Sequence, residues 1–491
     1  MKRRFLYPFA VAFMGVALTF TSCNNAPQKE FNKLLLEVAE NDATVDANDW
    51  TRIKTFLEKN KARFKDFFKN GELDEDAVED YIEDFFENRR PPKTISFTNV
   101  AIKVNFYLER SGSMVPYDSP QGDGSFKAAI VNMLNALPGN DNKMFVVNSS
   151  VTPYPKGLQQ FVRDADIFGS TKGMGDASYT DFGQIFDNIL NKTGKDELSI
   201  LVTDMIYSTR DMAGVNPQKV FAEAQGMTSN VFKTSVKEKS MLIVKMTGSY
   251  DGPYYPYNSP QSGKDYHGKR PYYIILVGDN KVMRRLTKNA NYQTFCDFPH
   301  LRGFQNMYLF DTDDLYEPYY SLLLAGNDMR GSFRPERGQD TQVTKIKDVK
   351  VDKNSGDLQL ELAVDLSGMF IDKDYLTDIN NYTVQSEGNV KIKQIREVKS
   401  SDMTPNEKKY LGTATHIFIL TLDKPSAQDI SIKLLNKLPR WVDMSNDDDD
   451  TSIEPMTTFG LKYLLQGIYD SYARNADGTP CYFEMDLEID R

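Results

Sequence analysis

The stretch FYLERSGSM, residues 106–114, runs from an apolar segment directly into a carboxylate, a glycine and two serines two positions apart. An apolar run bounded in this way reads as a buried strand that ends in a polar loop. Two readings of that loop stand: a metal site at the tip of a strand, or a polar turn. Hard divalent cations take oxygen ligands, so a carboxylate beside two hydroxyls suits Mg2+ or Ca2+.

Further apolar runs at 100–108, 144–148, 198–203, 241–246, 272–277 and 306–310 predict strands. Helical periodicity at 125–137, 181–192 and 217–232 lies between several of them. Strand and helix in alternation predict a mostly parallel sheet covered on both faces. Ligands of such sheets collect at the carboxyl ends of the strands. Besides ERSGSM, two polar clusters fall at such places: GDASYTDFGQIF (175–186), which opens a predicted helix, and VTDM (202–205), which ends the most apolar strand.

At these three places the chain resembles the von Willebrand factor type A family. Its metal-ion-dependent adhesion site consists of an Asp-x-Ser-x-Ser strand ending, a Thr from a later loop and an Asp after the central strand. Ser111 and Ser113 match the two serines, Thr180 the threonine and Asp204 the last aspartate, while Glu109 stands where the family has Asp. The resemblance covers roughly residues 98–325. It implies a Rossmann-like α/β fold and a Mg2+ or Ca2+ ion with an open position for a partner's carboxylate. Glu109 is one methylene longer than Asp, so three outcomes remain: Mg2+ on a repositioned carboxylate, preference for Ca2+, or a site without metal. The segments 115–124 and 247–271 would border the site, and Tyr117, Tyr250, Tyr254, Tyr255 and Tyr257 in them suit a partner-binding surface. The alternative is a pair of long loops packed on the domain by their own aromatics.

At the N-terminus, Lys2, Arg3 and Arg4 precede an apolar stretch from Phe5 to Phe20, then Thr21, Ser22 and Cys23. This reads as an export signal over 1–22, too short for a spanning helix. The ending resembles a bacterial lipoprotein signal, which implies lipidation of Cys23, with residues 23–30 as a flexible tether. Residues 31–92 predict a helical hairpin: Trp50, Ile53, Leu57, Phe64 and Phe68, then Val78, Ile82 and Phe86, recur at helical spacing, with Asp74 as an N-cap. RRPPK (89–93) ends it.

Residues 326–342 have the composition of a polar linker. Beyond them, 343–491 predict an Ig-like β-sandwich: Leu358, Leu360, Leu362 and Val364 alternate, as do Ile430, Ile432 and Leu434. A helical stripe at Leu461, Leu464, Leu465 and Ile468 and an edge strand CYFEMDLEI (481–489) follow. The acidic run 446–450 reads as a solvated turn.

The net charge of −10 over 491 residues, without a basic stripe, argues against a nucleic-acid partner. Cys296 and Cys481 are the only cysteines besides Cys23, so no disulfide framework is expected, and their pairing stays open. The three histidines, His267, His300 and His416, lack metal-ligand spacing, and neither a G-x-S-x-G elbow nor a P-loop occurs. The expectation is an exported, lipid-anchored, non-enzymatic binding protein of a bacterial envelope, attached to the outer membrane through its lipid alone, that recognises a protein or glycan. A metal-dependent hydrolase and a structural scaffold subunit of an envelope assembly are the alternatives.

Overall fold

A computed structural model describes residues 26–490 except 40–42, 70, 88, 90–94, 98–100, 139–141, 165, 208–213, 235, 237, 260–261, 312–315, 424 and 476–478. The predicted signal and Cys23 lie outside the described residues. The chain is mixed α/β with several sheets and divides into two compact units, Met1–Val100 and Ala101–Arg491. Among the described residues no helix is long and apolar enough to cross a membrane.

The first unit contains helices α1 (Ala26–Ala39), α2 (Ala47–Lys59) and α3 (Glu75–Glu87). Residues 26–30, expected in a tether, begin α1, whose Phe31 and Leu35 are fully buried. A capping box opens α2: the Asp46 carboxylate accepts from the N–H groups of Asn48 and Asp49, and Asp49 answers by accepting from Asp46. Phe31 packs its ring against Phe56, Phe64, Phe67 and Tyr81, so the aromatic stripes are core.

The second unit is built on seven strands: β1 (Lys103–Glu109), β2 (Lys143–Val147), β3 (Val151–Pro153), β4 (Glu197–Thr203), β5 (Lys239–Tyr254), β6 (Lys264–Asp279) and β7 (Phe304–Phe310). Their order is β7-β5-β6-β4-β1-β2-β3. Only the β1–β2 and β1–β4 pairings are parallel, so the sheet is mixed rather than mostly parallel. The difference arises at β5 and β6, which continue past the predicted 241–246 and 272–277. They form one hairpin in unbroken register from Lys239↔Asp279 to Tyr254↔Lys264. The segment expected to be a loop at 247–271 is mostly this two-stranded ribbon. Helices α4 (Ser125–Asn135), α5 (Phe182–Lys192) and α6 (Pro217–Phe232) contribute Ile130, Met133, Ile185, Phe186 and Phe232 to the same core as Phe106, Leu108 and Ile200.

Nine longer strands follow: β8 (Tyr320–Leu322), β9 (Ser332–Pro335), β10 (Lys345–Lys350), β11 (Asp357–Val364), β12 (Tyr382–Ser386), β13 (Asn389–Glu397), β14 (His416–Asp423), β15 (Gln428–Leu435) and β16 (Cys481–Ile489). They form a four-stranded sheet, β8-β11-β14-β13, and a five-stranded sheet, β9-β10-β16-β15-β12. Tyr382 of one sheet meets Phe418 of the other edge-on at 5.2 Å, which places the shared core between them. Strand β8 precedes the expected boundary at 325, and β9 occupies part of the expected linker. The strand expected at an edge, β16, lies inside its sheet between β10 and β15.

Helix α7 (Leu461–Asn475) does not stay with these sheets but packs on α6. The Thr228 hydroxyl donates to Leu464 O at 3.0 Å, Ser471 donates to Ser229 O at 3.0 Å, and the rings of Phe221 and Tyr463 stack at 4.2 Å. Gly467 permits this approach, since a Cβ there would lie 2.1 Å from Thr228 Oγ1 and 2.3 Å from Gln225 O.

Candidate functional site

β1 and β4 are parallel neighbours with Leu108 opposite Val202. Glu109 therefore ends its strand beside Thr203, and Asp204 follows at once. Thr180 arrives from the loop ahead of α5, where Asp181 caps the helix by accepting from the Gln184 N–H at 2.9 Å. Its hydroxyl donates to Glu109 Oε1 at 2.5 Å, and the Thr203 hydroxyl donates to Oε2. Ser111 Oγ and Ser113 Oγ lie 3.0 Å apart. The five residues read from the sequence, Glu109, Ser111, Ser113, Thr180 and Asp204, are thus brought to one place.

Four of the five are buried, Glu109, Asp204, Thr180 and Ser111 exposing only 1, 2, 3 and 6% of their surface, whereas Ser113 and the neighbouring Gly112 are half-buried. Asp204 Oδ1 accepts from the Ile206 N–H at 3.1 Å, whereas Oδ2 is buried and takes no hydrogen bond of ordinary geometry. The next residue, Met205, has φ of +57°, a costly conformation for a side chain of its size. Its N–H donates to Thr203 Oγ1 at 2.9 Å, which holds the turn. Behind the site, the buried Asn148 amide donates to Arg110 O (3.3 Å) and Met174 O (2.9 Å), fastening the 171–181 loop to the end of β1. Gly112 donates to Ala177 O at 3.1 Å, and the Tyr255 ring lies 3.2 Å from the place where a Cβ on Gly112 would sit.

Burial, with the Asp204 charge second, pushes Glu109 up to about 8. Burial also raises Asp204, against the opposing effects of the Ser113 hydroxyl, the Ile206 N–H and the Arg270 charge. At neutral pH the pair therefore favours holding a proton. A divalent cation would relieve the same repulsion. The donors fit it: two carboxylates, one of them with the orphaned Asp204 Oδ2, and three hydroxyls form a hard-oxygen set. Among the described residues no three His, Cys, Asp or Glu side chains gather at a metal-binding distance, so any ion here would depend on hydroxyls and water for its other ligands.

The partner-binding tyrosines divide. Tyr117, Tyr250 and Tyr254 are core residues, at most 1% exposed, which corrects their reading as a recognition surface. Tyr117 meets Tyr250 edge-on at 4.9 Å and packs on Phe126 and Tyr272. Tyr255 and Tyr257 stay half-buried. The acidic run is likewise not all solvated: Asp450 is 2% exposed and accepts from the Tyr254 hydroxyl at 2.7 Å.

Three residues that the sequence did not single out complete the surroundings. Thr203 stands next to Asp204 in VTDM and is found by asking what satisfies a buried carboxylate. Asn148 follows β2, and a polar residue immediately after an apolar strand is a weak signal of the same kind. Arg270 has the context of an ordinary surface cation in GKRP. In the fold it is 2% exposed, its guanidinium lies 4.2 Å from the centre of the Tyr254 ring, and it donates to Glu454 O and Thr457 O.

The histidines are engaged separately: His267 with Asp251 and Asp265, His300 with Asp297, His416 with Thr415. Cys296 and Cys481 are not joined in a disulfide, and burial pushes the Cys296 thiol up to about 12. Compared with protein-family models, curated proteins and solved structures, the chain finds no match.

Proposed function

We propose that this is an exported, lipid-anchored binding protein of a bacterial envelope. In this reading its von Willebrand factor A-like unit holds Mg2+ or Ca2+ through Glu109, Ser111, Ser113, Thr180 and Asp204 to recognise a protein or glycan, and its C-terminal sheets form an Ig-like sandwich. One observation carries the reading: Asp204 Oδ2 is buried without a hydrogen bond of ordinary geometry, beside a second buried carboxylate and the hydroxyls of Ser111, Ser113 and Thr180. A bound cation would supply charge compensation and a Lewis-acidic position for a ligand oxygen. The residues themselves hold and orient: Thr180 and Thr203 fix both oxygens of Glu109, which is how the longer side chain is accommodated.

Calorimetric titration of the full chain in detergent with Mg2+ and Ca2+ tests this. Heat and a thermal shift at millimolar ion are expected, and Asp204→Asn should abolish both. Absence of heat with either ion overturns the cation reading. The enclosure of the site by Tyr255 favours, as a second reading, a scaffold whose α/β unit is purely structural. Retention of a partner from envelope extract that is lost with EDTA and in Asp204→Asn supports recognition through the ion. Retention indifferent to both supports the scaffold.

A further inference from the structure

The segment 445–459 belongs to the C-terminal part of the chain, yet it lies along the ribbon that borders the site. Lys245 donates to Ser445 Oγ (2.6 Å) and Met456 O (3.1 Å), and the Tyr273 hydroxyl bonds Thr458 Oγ1 at 3.0 Å. Further along, Lys264 donates to Thr451 O at 2.6 Å. The densest attachment is at the ribbon's tip. Asp450 accepts from the Tyr254 hydroxyl and from the Tyr257 N–H, and the Tyr257 ring stacks on Phe459 at 4.5 Å and 4°.

Tyr255 sits between those two anchored residues. Its backbone is anchored on both sides, and its ring lies against Gly112, between Ser111 and Ser113. Glycine at 112 leaves the space the ring occupies. We propose that residues 445–459 are an internal strap that holds Tyr255 as a cover over the Ser111–Ser113 turn, so that access to the site requires the strap to loosen at Asp450. What the cover guards rests on the cation reading above; the cover itself does not.

Thiol labelling separates the two. In Ser111→Cys, the rate of alkylation at position 111 is followed by mass spectrometry without divalent cation, so the result is readable whether or not an ion binds. Labelling at position 111 is expected to be slow when Ser111→Cys is the only change. It should rise at least tenfold when Ser111→Cys is combined with Asp450→Ala, which frees the strap, and when it is combined with Tyr255→Ala, which removes the cover. The half-buried Cys296, whose thiol donates to Leu286 O at 3.3 Å, reports whether the fold has survived. Unchanged labelling at position 111 in either combination overturns the proposal, as does acceleration at Cys296 equal to that at position 111, which would signify general unfolding.

Discussion

The backbone N–H of Tyr257 donates to the Asp450 carboxylate at 3.0 Å although 193 positions separate the two residues. That bond joins the tip of the β5–β6 ribbon to a segment made much later. The candidate site and the C-terminal part therefore share a boundary. Burial pushes Asp450 up to about 6, so the folded chain takes up its proton at this joint in mild acid, where the unfolded chain does not.

The carboxylate pair should leave a signature in pH-dependent stability. Glu109 is raised from 4.5 to about 8, so the unfolded chain releases this proton where the folded chain keeps it. Without cation, stability attributable to Glu109 is fully present below pH 4.5 and falls as pH rises to about 8, by at most about 1.4 kcal/mol per pH unit. Asp204, also raised, acts in the same direction. Urea unfolding of Glu109→Gln from about pH 5 to 8 should give a flatter profile than the native chain. Parallel profiles would contradict the assignment.

Lys245 predicts the opposite slope at higher pH. Burial lowers its amine from 10.5 to about 8, with Ser445 and the Met456 carbonyl as its hydrogen-bond acceptors. Above pH 8 the folded amine gives up a proton that the unfolded chain holds to about 10.5, so stability from this group increases with pH through that window. Between about pH 7.5 and 9.5 the native chain should gain about 1–2 kcal/mol relative to Lys245→Met. Unfolding free energies of the two proteins at both pH values give the comparison directly.

Gly467→Ala should destabilise the second unit despite the better helix propensity of Ala. The new methyl would collide with Thr228 Oγ1 and the Gln225 carbonyl, and backbone cannot yield as a flexible side chain can. The gain of about 1 kcal/mol in propensity is outweighed by overpacking of about 1–3 kcal/mol or more. Denaturant titration should show a lower midpoint, and a midpoint raised by the substitution would mean that α6 and α7 can separate at little cost.

How much of the site is legible in the chain follows from where each residue stands. Ser111, Ser113, Thr180 and Asp204 all sit at the ends of elements, where a change from apolar to polar marks them. Thr203 is a β-branched residue inside a strand pattern, and only the neighbouring strand reveals that its hydroxyl serves Glu109. The mixed sheet is hidden because β5 beyond 246 is rich in Gly, Pro and Tyr, a composition that reads as loop. Gly248 and Gly252 are there because Tyr117, Tyr272 and Pro116 approach the backbone closely. Once the ribbon is recognised, the span from 254 to 264 is too short for a parallel crossover, so β6 must return antiparallel. In NDDDD nothing local distinguishes Asp450 from its neighbours; its burial is decided by tyrosines far away in the chain.

The cover that α7 lays over α6 has a consequence for how the molecule comes into being. Synthesis proceeds from the amino end, and the seven-stranded sheet has all its strands by residue 310. The helix that shields its outer layer and the strap along its ribbon arrive only with the final stretch of the chain. Order of synthesis and order of burial therefore run in opposite directions. Until that stretch is made, α6 lacks the helix that packs on it and the β5–β6 ribbon lacks its strap.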